Sequence, residues 1–333
     1  MKALMFEKNG LENLKVLDAE KPSLGSHEVL VKVVRASVNP IDYSTVTAIR
    51  NVRPLPHIPG AEFAGFIEKV GDHVVNVKPG DRVIVYNRIF DGTCDMCVSG
   101  YEMLCRNGGI IGVISNGGFA EYALVSENNV FKIEDNVDWD IAASLPVGAL
   151  TSYHAFKQVS ISPGDLVVVI GASGNTGIFA VQFAKMMGAK VVAVSRKQWI
   201  KDFGADEVTE LQNASEIVER ISDGKMADVV IDPLGSSTME FSMKLLGLNG
   251  KLITFGALTG DELKVPIRTL YSRQLKLIGS TGGTRRELLD IIKLANDGKF
   301  KVKIWKKYNL DQGIEALVSL FSKDRDGKIM ITI

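Results

Sequence analysis

All three cysteines of the chain fall within twelve positions, in the pattern Asp91-x2-Cys94-x2-Cys97-x7-Cys105. An odd number of cysteines packed this closely is not a disulfide framework. Four donors at such short spacings can wrap one tetrahedral zinc, and a carboxylate oxygen is an acceptable fourth ligand beside three thiolates. Asp95 is the poorer fourth donor, because it adjoins Cys94 and breaks the spacing. A closed site of this kind is structural, with no position left for a substrate; the alternative is three free thiols in a loop. A second pattern lies in residues 166–177, LVVVIGASGNTG. An apolar strand there runs into Gly171-Ala172-Ser173-Gly174-Asn175-Thr176-Gly177, and a helix opens. The usual dinucleotide loop reads G-x-G-x-x-G, and Ala172 takes its first position. Gly174 still lets backbone approach a pyrophosphate, Gly177 still lets helix pack on strand, and the helix N-terminus still offers N–H groups to phosphate. The alternative is an ordinary strand–helix turn. About 20 residues on, the second strand ends in Ser195-Arg196-Lys197, with no acid before Asp202. An acid there would hold the ribose 2′-hydroxyl of NAD, whereas a hydroxyl and two cations suit the 2′-phosphate of NADP.

The elements that must position these residues follow from periodicity. The first part of the chain reads as short strands, with VLVKVVRASV at 29–38 rich in β-branched residues and FAGFIEKVG, DRVIVY and FAEYALV after it. From about Leu166, strands and helices alternate. Helices are expected near 176–187, 214–222 and 237–246, with buried strands between them, the signature of a doubly wound parallel sheet. A helix near 284–297, a strand near 302–307, a helix near 311–322 and a closing strand complete the pattern. With 333 residues, two domains are expected, with three as the alternative.

Composition excludes several functions. Lysine plus arginine equals aspartate plus glutamate, 39 each, so no bulk positive charge grips nucleic acid. The stretch between Asp165 and Lys185 carries no charge, but its three glycines and its polar residues fit a buried strand–turn–helix better than a membrane span. The N-terminus meets charge too soon to read as a signal peptide. The free cysteines point to a reducing, cytoplasmic compartment.

The stretches IPGAEFAGFIEKVGDHVVNVKPGDRV, GGFAEYALV, ALTSYHAF, the glycine loop and GSTGGTRREL together resemble the medium-chain dehydrogenase/reductase superfamily, over essentially the whole chain. The resemblance implies an α/β protein. A GroES-like β-rich catalytic domain would span 1–148 and 284–333, carrying a structural-zinc lobe at 88–108, and a Rossmann NADP-binding domain would span 149–283, with the active site in the cleft between them. Zinc-dependent alcohol dehydrogenases usually have four cysteines in that lobe, and Asp91 stands at the place of the first. They hold a catalytic zinc with three further side chains, and here those positions are Asn39, Ala61 and Val147. Alanine and valine cannot coordinate a metal and asparagine is a poor zinc ligand, so one structural zinc and no catalytic zinc are expected. The segment Asn39-Pro40-x-Asp42 resembles instead the quinone oxidoreductase, zeta-crystallin and enoyl reductase branch.

Without a Lewis acid, alcohol oxidation loses its electrophile. Conjugate reduction needs only an oriented hydride and donors to the developing enolate oxygen. The candidate donors are the Asn39 amide and the Tyr43 hydroxyl, with Asp42 beside them, and Thr151 matches a position that lies beside the nicotinamide in the family. Each has a plainer alternative: Asn39 shaping a turn before Pro40, Tyr43 forming a wall, Asp42 capping a helix. Of the four histidines, His57 and His154 could lie near the cleft, and neither is given a catalytic role. Phe255-Gly256-Ala257 and Ser280-Thr281 end strands and should complete the cofactor site. Lys328 matches a basic position that reaches cofactor phosphates in some relatives; a solvated turn lysine is the alternative. The expected activity is NADPH-dependent reduction of an activated double bond or a quinone, acting on a small molecule. An alcohol or carbonyl dehydrogenase and an NADPH-binding protein without turnover are the competing readings. The family's usual contact, strand pairing between Rossmann domains, implies a homo-oligomer, dimer or tetramer.

Overall fold

Strand 28–37 organises the first unit. Its β-branched residues are buried on both faces over most of their length, because other elements cover both sides of the sheet. It pairs antiparallel with strand 63–70, with 122–126 and with the closing strand 328–332. The six-strand path runs 304–309, 328–332, 28–37, 63–70, 82–85, 130–132, and strand 122–126 adds to 28–37 off that path. The structure is a computed structural model that describes residues 1–47 and 52–333. Contacts divide the chain into one unit of Met1–Val147 with Thr284–Ile333, and another of Gly148–Gly283. Val29, Val31, Phe63, Val83 and Phe119 fill the core of the first unit together with Ile329 and Ile331 from the closing strand.

At the end of strand 28–37 the chain turns into a seven-residue helix, Pro40–Val46. Pro40 suits the first helical position, whose N–H would have no partner in any case. Asn39 is the residue before it, in extended backbone, and Asp42 sits at the third helical position, where its carboxylate accepts the Asn39 backbone N–H. The lobe at 88–110 is a small excursion built on the two-residue strand pair 88–89 and 109–110, with a four-residue helix, Asp95–Val98, between.

The second unit is a six-stranded, all-parallel sheet ordered 207–209, 190–194, 166–170, 227–231, 246–254, 276–279. Numbered by their place in the chain, these strands run 3-2-1-4-5-6, the doubly wound order that binds dinucleotides where the order reverses. Strand 166–170 is buried at every position, and helix Gly177–Met186 is buried from Gly177 to Ala184. Burial on every side explains the charge-free stretch at 166–184 without a bilayer. Among the described residues, no helix is long and apolar enough to cross a membrane.

Helices at 214–221, 236–244 and 285–296 stand within two residues of the periodicity reading. Helix 285–296 opens on a reciprocal cap between Thr284 and Glu287. The helix expected near 311–322 is shorter, a 3-10 turn at 310–312 followed by Gly313–Ser319. Strand 304–309 begins two residues later than read, although Lys303 O already accepts the Lys328 backbone N–H at 2.8 Å.

Candidate active site

In the first unit, four polar side chains are sealed together where strands 28–37, 63–70 and 328–332 meet. Glu62 is fully buried. Its Oε2 accepts from Asn39 Nδ2 at 2.9 Å and lies 3.4 Å from Lys328 Nζ, while its Oε1 accepts the Val147 backbone N–H at 2.7 Å. Lys328 is 1% exposed. Burial pulls its ammonium below the usual lysine range, and the facing Glu62 carboxylate works against that pull. The register explains the meeting: Ser37 N bonds to Glu62 O, and Val38 N bonds to Ile329 O, so the middle strand holds Glu62 and Lys328 on its two flanks.

This arrangement corrects two expectations. Asn39 is not a free donor for a substrate oxygen, since its amide nitrogen gives its protons to Ser37 O and Glu62 Oε2. Lys328 is not a solvated turn lysine; its ammonium faces the buried Glu62 carboxylate. Sequence reasoning did not foresee the pairing of Glu62 with Lys328. The signal available was a lone charge at the head of the closing strand KIMIT, whose next three residues are apolar.

Asp42 is 1% exposed, with Oδ2 accepting from Asn39 N at 2.8 Å and Oδ1 from Ala61 N at 2.9 Å. The helix-capping alternative for Asp42 therefore has a geometric basis, and the same carboxylate also ties the helix to the Gly60-Ala61-Glu62 segment. Burial pushes its pKa up to about 7, with Glu62 adding repulsion and the backbone N–H groups opposing. A raised folded-state value means that the folded protein binds the extra proton. The stability it contributes is fully present below the ordinary value of 3.8 and is lost as pH rises through about 7. Urea midpoints measured across that window should fall with pH in the native protein and fall less steeply in Asp42→Asn; parallel slopes would show that another group titrates.

Tyr43 is half-buried, its ring edge-on to Phe321 at 4.6 Å between centroids. His57 is fully buried, with Nε2 against Gly112 O at 2.9 Å and its ring edge-on to Phe6. Burial lowers its pKa. Its backbone pairs with Phe6 in both directions, so it is a core histidine rather than a cleft residue.

In the second unit the glycine loop follows strand 166–170. Gly171 has φ of +64°, a left-handed conformation that favours glycine. A Cβ on Gly177 would stand 2.3 Å from Gly171 O and 2.7 Å from Ala172 Cα, so only glycine lets the helix start this close. Gly174, with Gly171 O bonded to its N–H, lies at the turn itself, flanked by half-buried Ser173 and Thr176 and buried Asn175. Ser195 Oγ is 2.9 Å from Ser173 Oγ and accepts the Lys197 backbone N–H, so the loop and the end of the second strand converge. Arg196 is exposed and Lys197 half-buried.

Phe255, Gly256 and Ala257 follow strand 246–254 directly, and a Cβ on Gly256 would meet Pro233 O at 2.3 Å. Ser280 N bonds to Thr254 O, which aligns Ser280 and Thr281 with the end of that strand. Ser280 Oγ is sequestered with no hydrogen-bond partner among the described residues. A sequestered hydroxyl without a protein partner calls for an explanation, and a bound ligand is one.

Thr151 is half-buried on helix Leu150–Lys157. The neighbouring Ser152 Oγ reaches Thr176 O at 2.8 Å and so anchors this helix to the glycine loop; sequence reasoning passed over it. His154, on the same helix, is buried with Nε2 2.9 Å from Gln158 Nε2.

The lobe gathers Asp91, Cys94, Cys97 and Cys105, their donor atoms all within 4.8 Å of one another. Backbone N–H groups of Arg106 and Cys97 hold the Cys94 thiol below its usual range, and the Asp91 carboxylate, held by Cys94 N, Thr93 N and Asn107, lies well below the carboxylate range. Asp95 is engaged elsewhere, in a two-point ion pair with Arg106 at 2.6 and 2.7 Å. Three sulfurs and one carboxylate in this cluster match the donor set of a closed tetrahedral site.

Comparison with known proteins agrees with both units. The model of the alcohol dehydrogenase GroES-like domain matches residues 25–135, and that of the zinc-binding dehydrogenases matches 176–297. An alcohol dehydrogenase of Geobacillus stearothermophilus is 35% identical over 95% of this chain and 94% of its own length. An acryloyl-coenzyme A reductase of Sulfurisphaera tokodaii is 29% identical over 96% of each. The solved structure of a thermostable alcohol dehydrogenase from Pyrobaculum aerophilum superposes with a TM-score of 0.94 at 42% identity, covering 100% of this chain and 99% of that one. A parallel sheet in 3-2-1-4-5-6 order, a β-rich unit with a cysteine lobe and full-length similarity of this kind lead to one conclusion: the chain is an oxidoreductase that belongs to the medium-chain dehydrogenase/reductase superfamily.

Proposed function

We propose that this protein uses NADP(H) to reduce activated C=C bonds or quinones and works without a catalytic zinc. The observation that carries the reading is the enclosure of Glu62. The carboxylate that would stand beside a catalytic metal is bonded to Lys328, Asn39 and the Val147 N–H, and the side chains of Ala61 and Val147 offer a metal no donor. A buried ammonium already balances the charge there. The acryloyl-coenzyme A reductase among the relatives is, by its name, an enzyme acting on an activated double bond.

The residues toward the cofactor have distinct tasks. Gly171–Gly177 and the first turn of helix Gly177–Met186 would cradle the pyrophosphate. Ser195, Arg196 and Lys197 would hold the 2′-phosphate, and the orphaned Ser280 Oγ, with Thr281 and Phe255–Ala257, would meet the nicotinamide end. Bound NADPH supplies the hydride. Tyr43 remains the donor to the developing enolate oxygen, because the Asn39 amide is engaged within the protein. Thr151 serves as the positioning residue beside the ring. Asp91, Cys94, Cys97 and Cys105 would hold one structural zinc that cross-links the lobe. Strand 276–279, at the edge of the parallel sheet, is the natural seam for pairing with a second copy. Three free cysteines suit a cytoplasmic setting.

The test is NADPH consumption with a panel of enones and quinones, set beside NADP+ reduction with secondary alcohols, each with and without a strong chelator. Enone or quinone turnover that survives chelation, with poor alcohol oxidation, is the expected result. Robust alcohol oxidation abolished by chelator would overturn the proposal in favour of a zinc dehydrogenase, the activity named for the Geobacillus relative. Absence of any turnover would leave a cofactor-binding protein.

A further inference from the structure

Three residues far apart in sequence meet at one end of the first unit's sheet. His27 Nδ1 lies 2.7 Å from Glu127 Oε1, and His27 Nε2 lies 3.3 Å from His73 Nδ1. Backbone bonds hold all three in place: His73 N donates to Ser26 O, and Glu127 N donates to His27 O. Each leaves the sheet just beyond a paired strand end, since Glu28 pairs with Ser126 and Val29 with Val70. The array is therefore set by strand register rather than by loose loops.

The protons follow from the partners. The Glu127 carboxylate can only accept, so His27 carries its proton on Nδ1. Its Nε2 is then a lone pair, and the His73 Nδ1–H donates to it. Two nitrogen ligands on one tetrahedral ion, each about 2.0–2.1 Å from it, stand about 3.4 Å apart. The two imidazole nitrogens are separated by 3.3 Å. The glutamate on the far side of His27 completes a carboxylate–histidine–metal line, in which the outer carboxylate fixes the ring and raises its basicity. Glu127 suits that part, its side chain 14% exposed against 65% for His27, so the charge is anchored while the ring faces solvent.

We infer that His27 and His73, oriented by Glu127, form a surface site for a late first-row divalent cation of the Zn2+, Ni2+ or Cu2+ class. Imidazole nitrogen suits these ions, and water fills the remaining positions. On binding, His73 moves its ring proton from Nδ1 to Nε2 and stays neutral, so no co-reactant is needed. The site is separate from the cysteine lobe and independent of the proposed reaction.

The probe is Ni2+, titrated calorimetrically into the untagged protein after dialysis has left only tightly held metal, which should be about one zinc per chain by the lobe's ligand count. The chain's other two histidines, His57 and His154, are 0% and 5% exposed, so surface imidazole binding has one source. One Ni2+ should bind per chain. His27→Asn and His73→Asn should each weaken it at least about 10-fold, as expected when a chelating pair becomes a single ligand. Glu127→Gln should weaken it about 10-fold through the lost ring partner. The double variant His27→Asn with His73→Asn should bind no Ni2+ at the surface, while the lobe keeps its four donors. Native protein that takes up no Ni2+, or His73→Asn that binds it as tightly as native, would overturn the inference; so would uptake that persists in the double variant His27→Asn with His73→Asn.

Discussion

Lys328→Met should destabilise the folded protein by about 3–5 kcal/mol, the usual result of removing one partner from a buried ion pair. Methionine keeps most of the volume, so the loss reports charge rather than a cavity. Glu62 would retain the Asn39 and Val147 donors but would be left as a buried anion without its cation. Against a typical total of about 5–15 kcal/mol, such a loss is large. The double variant Lys328→Met with Glu62→Gln removes both charges and should recover most of it, because a neutral amide carries a far smaller desolvation cost. Urea midpoints for the native protein and the single and double variants measure this directly. If the double variant is no more stable than Lys328→Met alone, the pair is not a charge-balancing device.

Arg196→Ala should weaken NADPH about 100-fold and NADH hardly at all. A charge-assisted fork contact to a 2′-phosphate contributes a few kcal/mol, and about 2.7 kcal/mol corresponds to that ratio. Arg196 is exposed at the end of strand 190–194, beside the Ser195–Ser173 contact that ties it to the glycine loop. Dissociation constants for both cofactors, from nicotinamide fluorescence, separate the outcomes. Equal losses would mean that Arg196 stabilises the loop rather than reading the phosphate.

What could be read from sequence was local. The glycine loop, the lobe spacing and the alternation of strands and helices each lie within a few tens of residues, and each stands in the structure where its pattern put it. What could not be read was set by strand register. Glu62 and Lys328 are 266 residues apart, and His27 and Glu127 are 100 apart. No spacing rule reaches that far, because the partners are chosen by which strands lie side by side. Asn39 shows how this changes chemistry. Its amide and its place in the Asn39-Pro40-x-Asp42 segment suggested a donor to a substrate oxygen, but the neighbouring strand brings Glu62 within 2.9 Å and claims the amide.

The closing strand has a consequence for how the chain is made. The first unit is interrupted in sequence by the second, so a ribosome delivers Gly148–Gly283 complete before it delivers Lys328. At about 5–20 residues per second, Glu62 waits roughly 13–53 s for the lysine that lies 266 positions behind it. Throughout that interval its carboxylate needs water, and the strands around it have no reason to close. The parallel sheet can form first, and the β-rich unit locks only when its last strand slides in beside residues 35–37 and brings the counter-charge with it.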